Sequence, residues 1–124
     1  METVPKKILI AEDDESLRST LREKFTNEGF SVLVAVDGEE GLASAKKEKP
    51  DLILLDIRMP KVDGIAMARE LKKEGFTTPI IFLTNLDDIN HISEAIEINE
   101  SDYLVKSDMK LDEIVKRAKE RLAM

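Results

Sequence analysis

Five short apolar runs divide the chain: Lys7–Ala11, Phe30–Val36, Leu52–Leu55, Ile80–Leu83 and Tyr103–Val105. Most are apolar without a break rather than alternating, which suits strands covered on both faces, as in a parallel sheet. The longer stretches between them carry helical spacing. Leu17, Leu21 and Phe25 recur every four residues, and Gly29 then offers a stop. Asp37 is placed to cap a helix holding Leu42 and Ala45 that must end before Pro50. Asp63 and Gly64 open a third helix with Ile65, Ala68 and Leu71 inward, stopping near Gly75. Ile89, Ile92 and Ile96 make a fourth stripe; Leu111, Ile114, Ala118 and Leu122 make a fifth. The pattern is (βα)5. Strand–helix–strand units impose parallel pairing and right-handed crossovers, so the expected fold class is α/β, an open doubly wound sheet.

The 124 residues suit a single domain spanning 1–124, with its core at about 6–122. Hydrophobic residues make up 42%, enough for a real core. The absence of cysteine excludes a disulfide scaffold, a thiolate zinc site and a cysteine nucleophile. No apolar run is long enough to span a bilayer, and Met1–Lys7 lacks the apolar core of a secretion signal. A cytoplasmic location is therefore expected, with no membrane partner. The net charge of −7 and the lack of a Lys/Arg cluster argue against direct nucleic-acid binding.

In open parallel sheets, ligands bind beyond the carboxyl ends of the strands. Strand one is followed by Glu12, Asp13 and Asp14, strand three by Asp56, strand four by Thr84 and strand five by Lys106. Only strand two ends without chemistry, at Asp37, which fits an edge position. Singly these residues are ordinary: an acid after a strand commonly caps the next helix, and Asp14 is read in that role. As a set they are complementary. Three carboxylates a few ångströms apart repel by about 4 kcal/mol per close pair at an effective dielectric near 20. A divalent cation removes that cost, and oxygen-only ligands point to Mg²⁺ first and Mn²⁺ second. Lys106 and Thr84 can bind further phosphate oxygens, leaving Asp56 as a nucleophile toward phosphorus.

These segments resemble the receiver domain of two-component response regulators over nearly the whole chain. The resemblance is carried by Ile8-Leu9-Ile10-Ala11-Glu12-Asp13-Asp14, by Asp51-Leu52-Ile53-Leu54-Leu55-Asp56-Ile57-Arg58-Met59-Pro60 with Asp63-Gly64, by Pro79-Ile80-Ile81-Phe82-Leu83-Thr84, and by Asp102-Tyr103-Leu104-Val105-Lys106. It implies a flavodoxin-like sheet of order 2-1-3-4-5, with Asp56 as the phosphoacceptor. The metal ligands implied are Asp13, Asp56, the backbone carbonyl of Arg58 and, through water, Glu12. Thr84 is implied as the switch hydroxyl, Tyr103 as the switch aromatic and Lys106 as the cation that pairs first with the acceptor and then with the phosphoryl group. The donor implied is a sensor histidine kinase or phosphotransfer protein. Output would pass from the fourth helix, fifth strand and fifth helix to an unknown downstream protein. A stand-alone chain with no output domain is expected, as a monomer or weak phosphorylation-dependent dimer. It would be no enzyme beyond weak self-phosphorylation and self-dephosphorylation.

Three positions depart from the family pattern. Ser107 follows the lysine where a proline with a cis peptide is usual; a non-proline cis bond costs about 2.5–4 kcal/mol, so this link is either trans or held cis by its surroundings. Asn85 follows Thr84 where a small residue is usual, and Arg58 is a large cation beside the acceptor; both are candidate modulators, Asn85 by narrowing access to the phosphoryl group or hydrogen-bonding it and Arg58 by shielding it from water. Two other functions compete with the receiver reading. A phosphohydrolase of the haloacid dehalogenase type needs a second aspartate two residues after the nucleophile, and Arg58 stands there. A receiver-shaped binding module that is never phosphorylated usually lacks a pocket group. His91, the only histidine, reads as a surface helix residue, and the charge run Lys116–Arg121 as a solvated face.

Overall fold

The structure is a computed structural model that describes residues 4–85, 93, 97, 102–108 and 110–123. Strands β1 (Lys7–Ala11), β2 (Ser31–Ala35), β3 (Leu52–Asp56), β4 (Ile80–Thr84) and β5 (Asp102–Val105) form one sheet of order β2-β1-β3-β4-β5. Every pairing is parallel. This is the open doubly wound sheet expected from the alternating pattern, in the flavodoxin-like order that the resemblance implied, with β2 at an edge. Four helices are described: α1 (Glu15–Asn27), α2 (Gly38–Glu48), α3 (Gly64–Lys73) and α4 (Leu111–Arg121). The stripe of Ile89, Ile92 and Ile96, together with His91, lies outside the described residues.

The unbroken apolar runs are explained by two cores, one on each face of the sheet. Successive strand residues point to opposite faces. Leu9, Ala11, Ile53, Leu55 and Phe82 pack with Ala45 of α2 and with Met67, Ala68 and Leu71 of α3. Ile8, Ile10, Leu54, Ile81 and Leu83 pack with Leu21 and Phe25 of α1 and with Ile114, Val115 and Ala118 of α4. Where a strand is covered on both faces, as β3 and β4 are along their whole length, both parities of position are apolar up to the rim.

Aspartates set the starts of α1, α2 and α3. The side chains of Asp14, Asp37 and Asp63 accept hydrogen bonds from Leu17 N, Glu40 N and Ala66 N, at 3.1, 2.8 and 2.8 Å. Each satisfies an amide that the first helical turn leaves without a partner. At the far end of α1, Gly29 adopts φ +94°, a backbone region that costs glycine little, and Phe30 then turns back edge-to-face onto Phe25 with ring centroids 5.5 Å apart. Pro50 follows the left-handed Lys49, which closes α2.

Strand ends differ from the sequence reading by one residue. Asp56 and Thr84 are the last residues of β3 and β4 rather than the first beyond them, because Asp56 pairs in register with Leu83 and Thr84 with Val105. The ladder thus carries the polar residues into the sheet's rim. The last helix also corrects an expectation. Arg117 is not purely solvated: its Nη1 donates to both carboxylate oxygens of Asp102 at 3.0 Å. The apolar stripe of α4 sets which face is buried, and Arg117 lies where that helix passes the start of β5.

Candidate functional site

Strands β1, β3 and β4 deliver buried polar side chains to one rim of the sheet. Glu12 and Thr84 are fully buried and Asp56 is 3% exposed, while Asp13 is exposed. Glu12 stays in the ladder through its amide, which donates to Ala35 O at 3.1 Å. Its carboxylate is anchored on one side, where Oε2 accepts from Asp14 N at 3.0 Å. Asp56 Oδ1 accepts from Arg58 N at 3.2 Å, so the turn after β3 folds back onto this carboxylate. Gly64 makes that turn possible. Its amide donates to Ile57 O at 2.8 Å, and a Cβ there would stand 2.1 Å from the backbone oxygen of Asp56.

Lys106 reaches across from the end of β5. Its Nζ donates to Asp56 Oδ2 at 2.9 Å and lies 2.8 Å from Glu12 Oε1. The second contact is an ion pair without hydrogen-bond alignment, which leaves Glu12 Oε1 a buried oxygen lacking an aligned donor. No peptide bond in the described residues is cis, so the Lys106–Ser107 link is trans, and Lys106–Asp108 form a single 3-10 turn.

The electrostatics follow from this crowding. Burial pushes the Asp56 carboxyl up to about 7, and the neighbouring Glu12 adds to the rise against the opposing pull of Lys106. For Lys106, burial acts to lower the pKa, yet the Glu12 and Asp56 carboxylates outweigh it and hold the ammonium above its ordinary value. The two shifts are compatible because one ammonium faces two buried acids: it stays charged, and Asp56 is the acid whose ionisation is disfavoured.

Glu12, Asp13 and Asp56 each offer a carboxylate oxygen within 4.8 Å of the other two. Three carboxylates and one ammonium leave a formal charge of −2, which a divalent cation would cancel. The donors are all oxygen, the preference of Mg²⁺. Together with the unaligned Glu12 Oε1, this donor set fits a hard divalent ion.

Thr84 completes the rim, while Tyr103 lies two positions further into the sheet, opposite Phe82. The Thr84 hydroxyl donates to Asn85 O at 3.0 Å, turned along its own chain. Tyr103 is half-buried and packs against the core cluster that contains Phe82 and Met59. Asn85 and Arg58 are exposed. Arg18 was missed from sequence: its Nη1 donates to Glu12 O at 2.9 Å and to Asp13 O at 3.3 Å. Its signal was weak, an arginine on the polar side of α1, where a solvated charge is the ordinary reading.

The comparisons with known proteins agree with this arrangement. The family model for the response regulator receiver domain matches residues 8–119. A probable transcriptional regulator, ycf27, of Porphyridium aerugineum is 42% identical over 100 residues, covering 81% of this chain and 41% of its own. The alkaline phosphatase synthesis transcriptional regulatory protein PhoP of Bacillus subtilis is 40% identical over 101 residues, covering 82% and 42%. The chain therefore spans less than half the length of these curated relatives. Among solved structures, the receiver domain of Francisella response regulator 1452 superposes with a TM-score of 0.87 at 32% identity, over 95% of this chain and 97% of that one. With five parallel strands in the order 2-1-3-4-5 and acids gathered at their carboxyl ends, the chain belongs to the receiver domain family of two-component response regulators.

Proposed function

We propose that Asp56 accepts a phosphoryl group from the phosphohistidine of a sensor kinase or phosphotransfer protein, in a reaction that depends on Mg²⁺. The observation that carries this reading is the buried Asp56 carboxylate, set against two further acids within 4.8 Å and the Lys106 ammonium at 2.9 Å. Asp13, Asp56, the Arg58 carbonyl and, through water, Glu12 are the groups assigned to the cation. When bound, Mg²⁺ supplies the charge that keeps Asp56 ionised and offsets the negative phosphoryl oxygens.

An Asp56 oxygen forms the new P–O bond as the P–N bond of the donor breaks, and that bond's electron pair returns to the imidazole nitrogen. Lys106 is already positioned against the attacking carboxylate and then pairs with a phosphoryl oxygen. Burial of Asp56 and Thr84 keeps water from the acyl phosphate. Positioning and charge stabilisation provide most of the rate in such transfers. The chemistry is stoichiometric, one phosphoryl group per chain, with slow self-phosphorylation and self-dephosphorylation.

For the readout, the Thr84 hydroxyl exchanges Asn85 O for a phosphoryl oxygen, and Tyr103 turns into the space behind it. The surface altered is that of β5, α4 and the segment before β5, facing a downstream protein. Moving such an element from 1:99 to 99:1 needs about 5.5 kcal/mol of differential interaction. Beryllofluoride with Mg²⁺ mimics the acyl phosphate and tests the reading: it should shift the amide resonances of Thr84 and Lys106 in the wild type and leave Asp56→Asn unchanged. An unresponsive wild type would favour a binding module that is never phosphorylated.

A further inference from the structure

The loop between β1 and α1 carries Glu12 and Asp13, and its backbone is held from three sides. The sheet holds Glu12 through Ala35 O, the Glu12 side chain holds the Asp14 amide, and α1 reaches back through Arg18. The third hold differs in kind. One guanidinium nitrogen, with two hydrogens to give, takes the carbonyl of Glu12 at 2.9 Å and that of Asp13 at 3.3 Å. Arg18 is itself half-buried, and its own amide donates to Asp14 O at 2.9 Å, so its base is fixed to the loop it grips. The Asp13 side chain, by contrast, is exposed, and the backbone beneath it sets where its Cα–Cβ bond points.

We propose that Arg18 is a positioning residue for the divalent cation site. By gathering two successive carbonyls onto one guanidinium, it fixes the peptide planes on both sides of Asp13. It thereby fixes the direction in which the Asp13 carboxylate leaves the loop toward Asp56. This rests on the reading of Glu12, Asp13 and Asp56 as a cation site. Arg18 touches neither the cation nor the reacting atoms; it acts through the backbone of residues that do, as outer groups around metal ligands commonly act.

Charge and positioning predict opposite signs. A guanidinium near a cation site repels the cation, so if Arg18 acted through charge alone, removing it would tighten binding. If it acts by positioning, removal weakens binding despite the relief of repulsion. Lysine keeps the charge and hydrogens to give, but its ammonium rotates at the end of a flexible stem and lacks the fixed plane in which Nη1 presents its two hydrogens, so it should rescue only in part.

The test uses Mn²⁺ as the probe, with its affinity read by electron paramagnetic resonance or calorimetry on wild type, R18M, R18K, R22M and D56N. R22M removes an exposed charge from α1 one turn further along and reports the charge effect alone. R18M should bind Mn²⁺ about tenfold more weakly than wild type, the lower end of what loss of an outer group around a metal costs. R18K should fall between the two, and R22M should match wild type or bind slightly more tightly. Urea unfolding in EDTA should show R18M folded, while its Asp14 amide exchanges hydrogen faster than in wild type. If R18M unfolds, R18K carries the comparison and should still bind more weakly than wild type. Binding by a folded R18M equal to or tighter than wild type overturns the proposal. Where D56N weakens binding and R18M does not, only the role of Arg18 falls. Where wild type fails to bind Mn²⁺, or D56N binds it equally well, the cation site falls too and takes this inference with it.

Discussion

Lys106 Nζ stands 2.9 Å from Asp56 Oδ2 and 2.8 Å from Glu12 Oε1, so one ammonium partly neutralises two buried acids before any other cation arrives. On the proposed function, the same ammonium would compete with a divalent ion for those oxygens and later serve the phosphoryl group. Lys106→Met should therefore split two measurements. Phosphorylation of Asp56 by acetyl phosphate should slow on the order of 10²-fold, the cost of losing one donor to developing charge. Mg²⁺ affinity measured by calorimetry should rise. A variant that phosphorylates at the wild-type rate contradicts the role given to Lys106.

Asp56 makes the metal-free domain sensitive to pH. Its carboxyl is pushed up to about 7 in the folded chain against an ordinary 3.8. Well below pH 3.8 the acid is protonated in both states and its contribution to stability is fully present. As pH rises toward about 7 the unfolded chain ionises first, so stability is lost across that window, on the order of 2–4 kcal/mol. Asp56→Asn should flatten this slope and raise the urea midpoint in EDTA at neutral pH. Saturating Mg²⁺ should flatten the slope for the wild type, and an unchanged midpoint in Asp56→Asn contradicts the strain assigned to this carboxylate.

Gly64 is required by a close approach rather than by a positive φ. An added Cβ would meet the Asp56 backbone oxygen at 2.1 Å, inside any real contact. Gly64→Ala should destabilise the metal-free domain by roughly 1–3 kcal/mol, as overpacking in a tight interior does. It should also slow phosphorylation, because the displaced backbone carries the acceptor. Urea unfolding and acetyl phosphate kinetics on the same variant check both effects.

Arg58 and Asn85 are exposed beside the acceptor. If their bulk shields an acyl phosphate from water, replacing both with alanine should shorten the lifetime of phosphorylated Asp56, measured by phosphate release after donor removal. A wild-type half-life of seconds, or an unchanged lifetime in the double variant, contradicts shielding.

Much of this arrangement was legible in the sequence because the physics is local. Asp14, Asp37 and Asp63 are placed where a helix start needs an acceptor, and the unbroken runs around Leu9, Leu54 and Phe82 have the composition that only a twice-covered strand tolerates. The parallel pairing came from the crossovers. The acids of the rim were visible because Glu12, Asp13 and Asp56 stand directly at the ends of apolar runs. Other features were not legible because they depend on distance across the fold. Nothing near Arg18 in sequence shows that its guanidinium turns back to the carbonyls of Glu12 and Asp13. The pairing of Arg117 with both oxygens of Asp102 joins residues on separate elements. Lys106 opens a 3-10 turn with a trans link to Ser107, which the family pattern of a cis proline did not anticipate.

The most direct measurement is the mass of the intact protein after incubation with Mg²⁺ and acetyl phosphate, followed by mapping of the modified residue. A single phosphoryl adduct on Asp56 is predicted, lost on treatment with hydroxylamine and absent both in EDTA and in Asp56→Asn. A wild-type chain that gains no adduct, or an adduct that persists in Asp56→Asn, would contradict Asp56 as the phosphoacceptor.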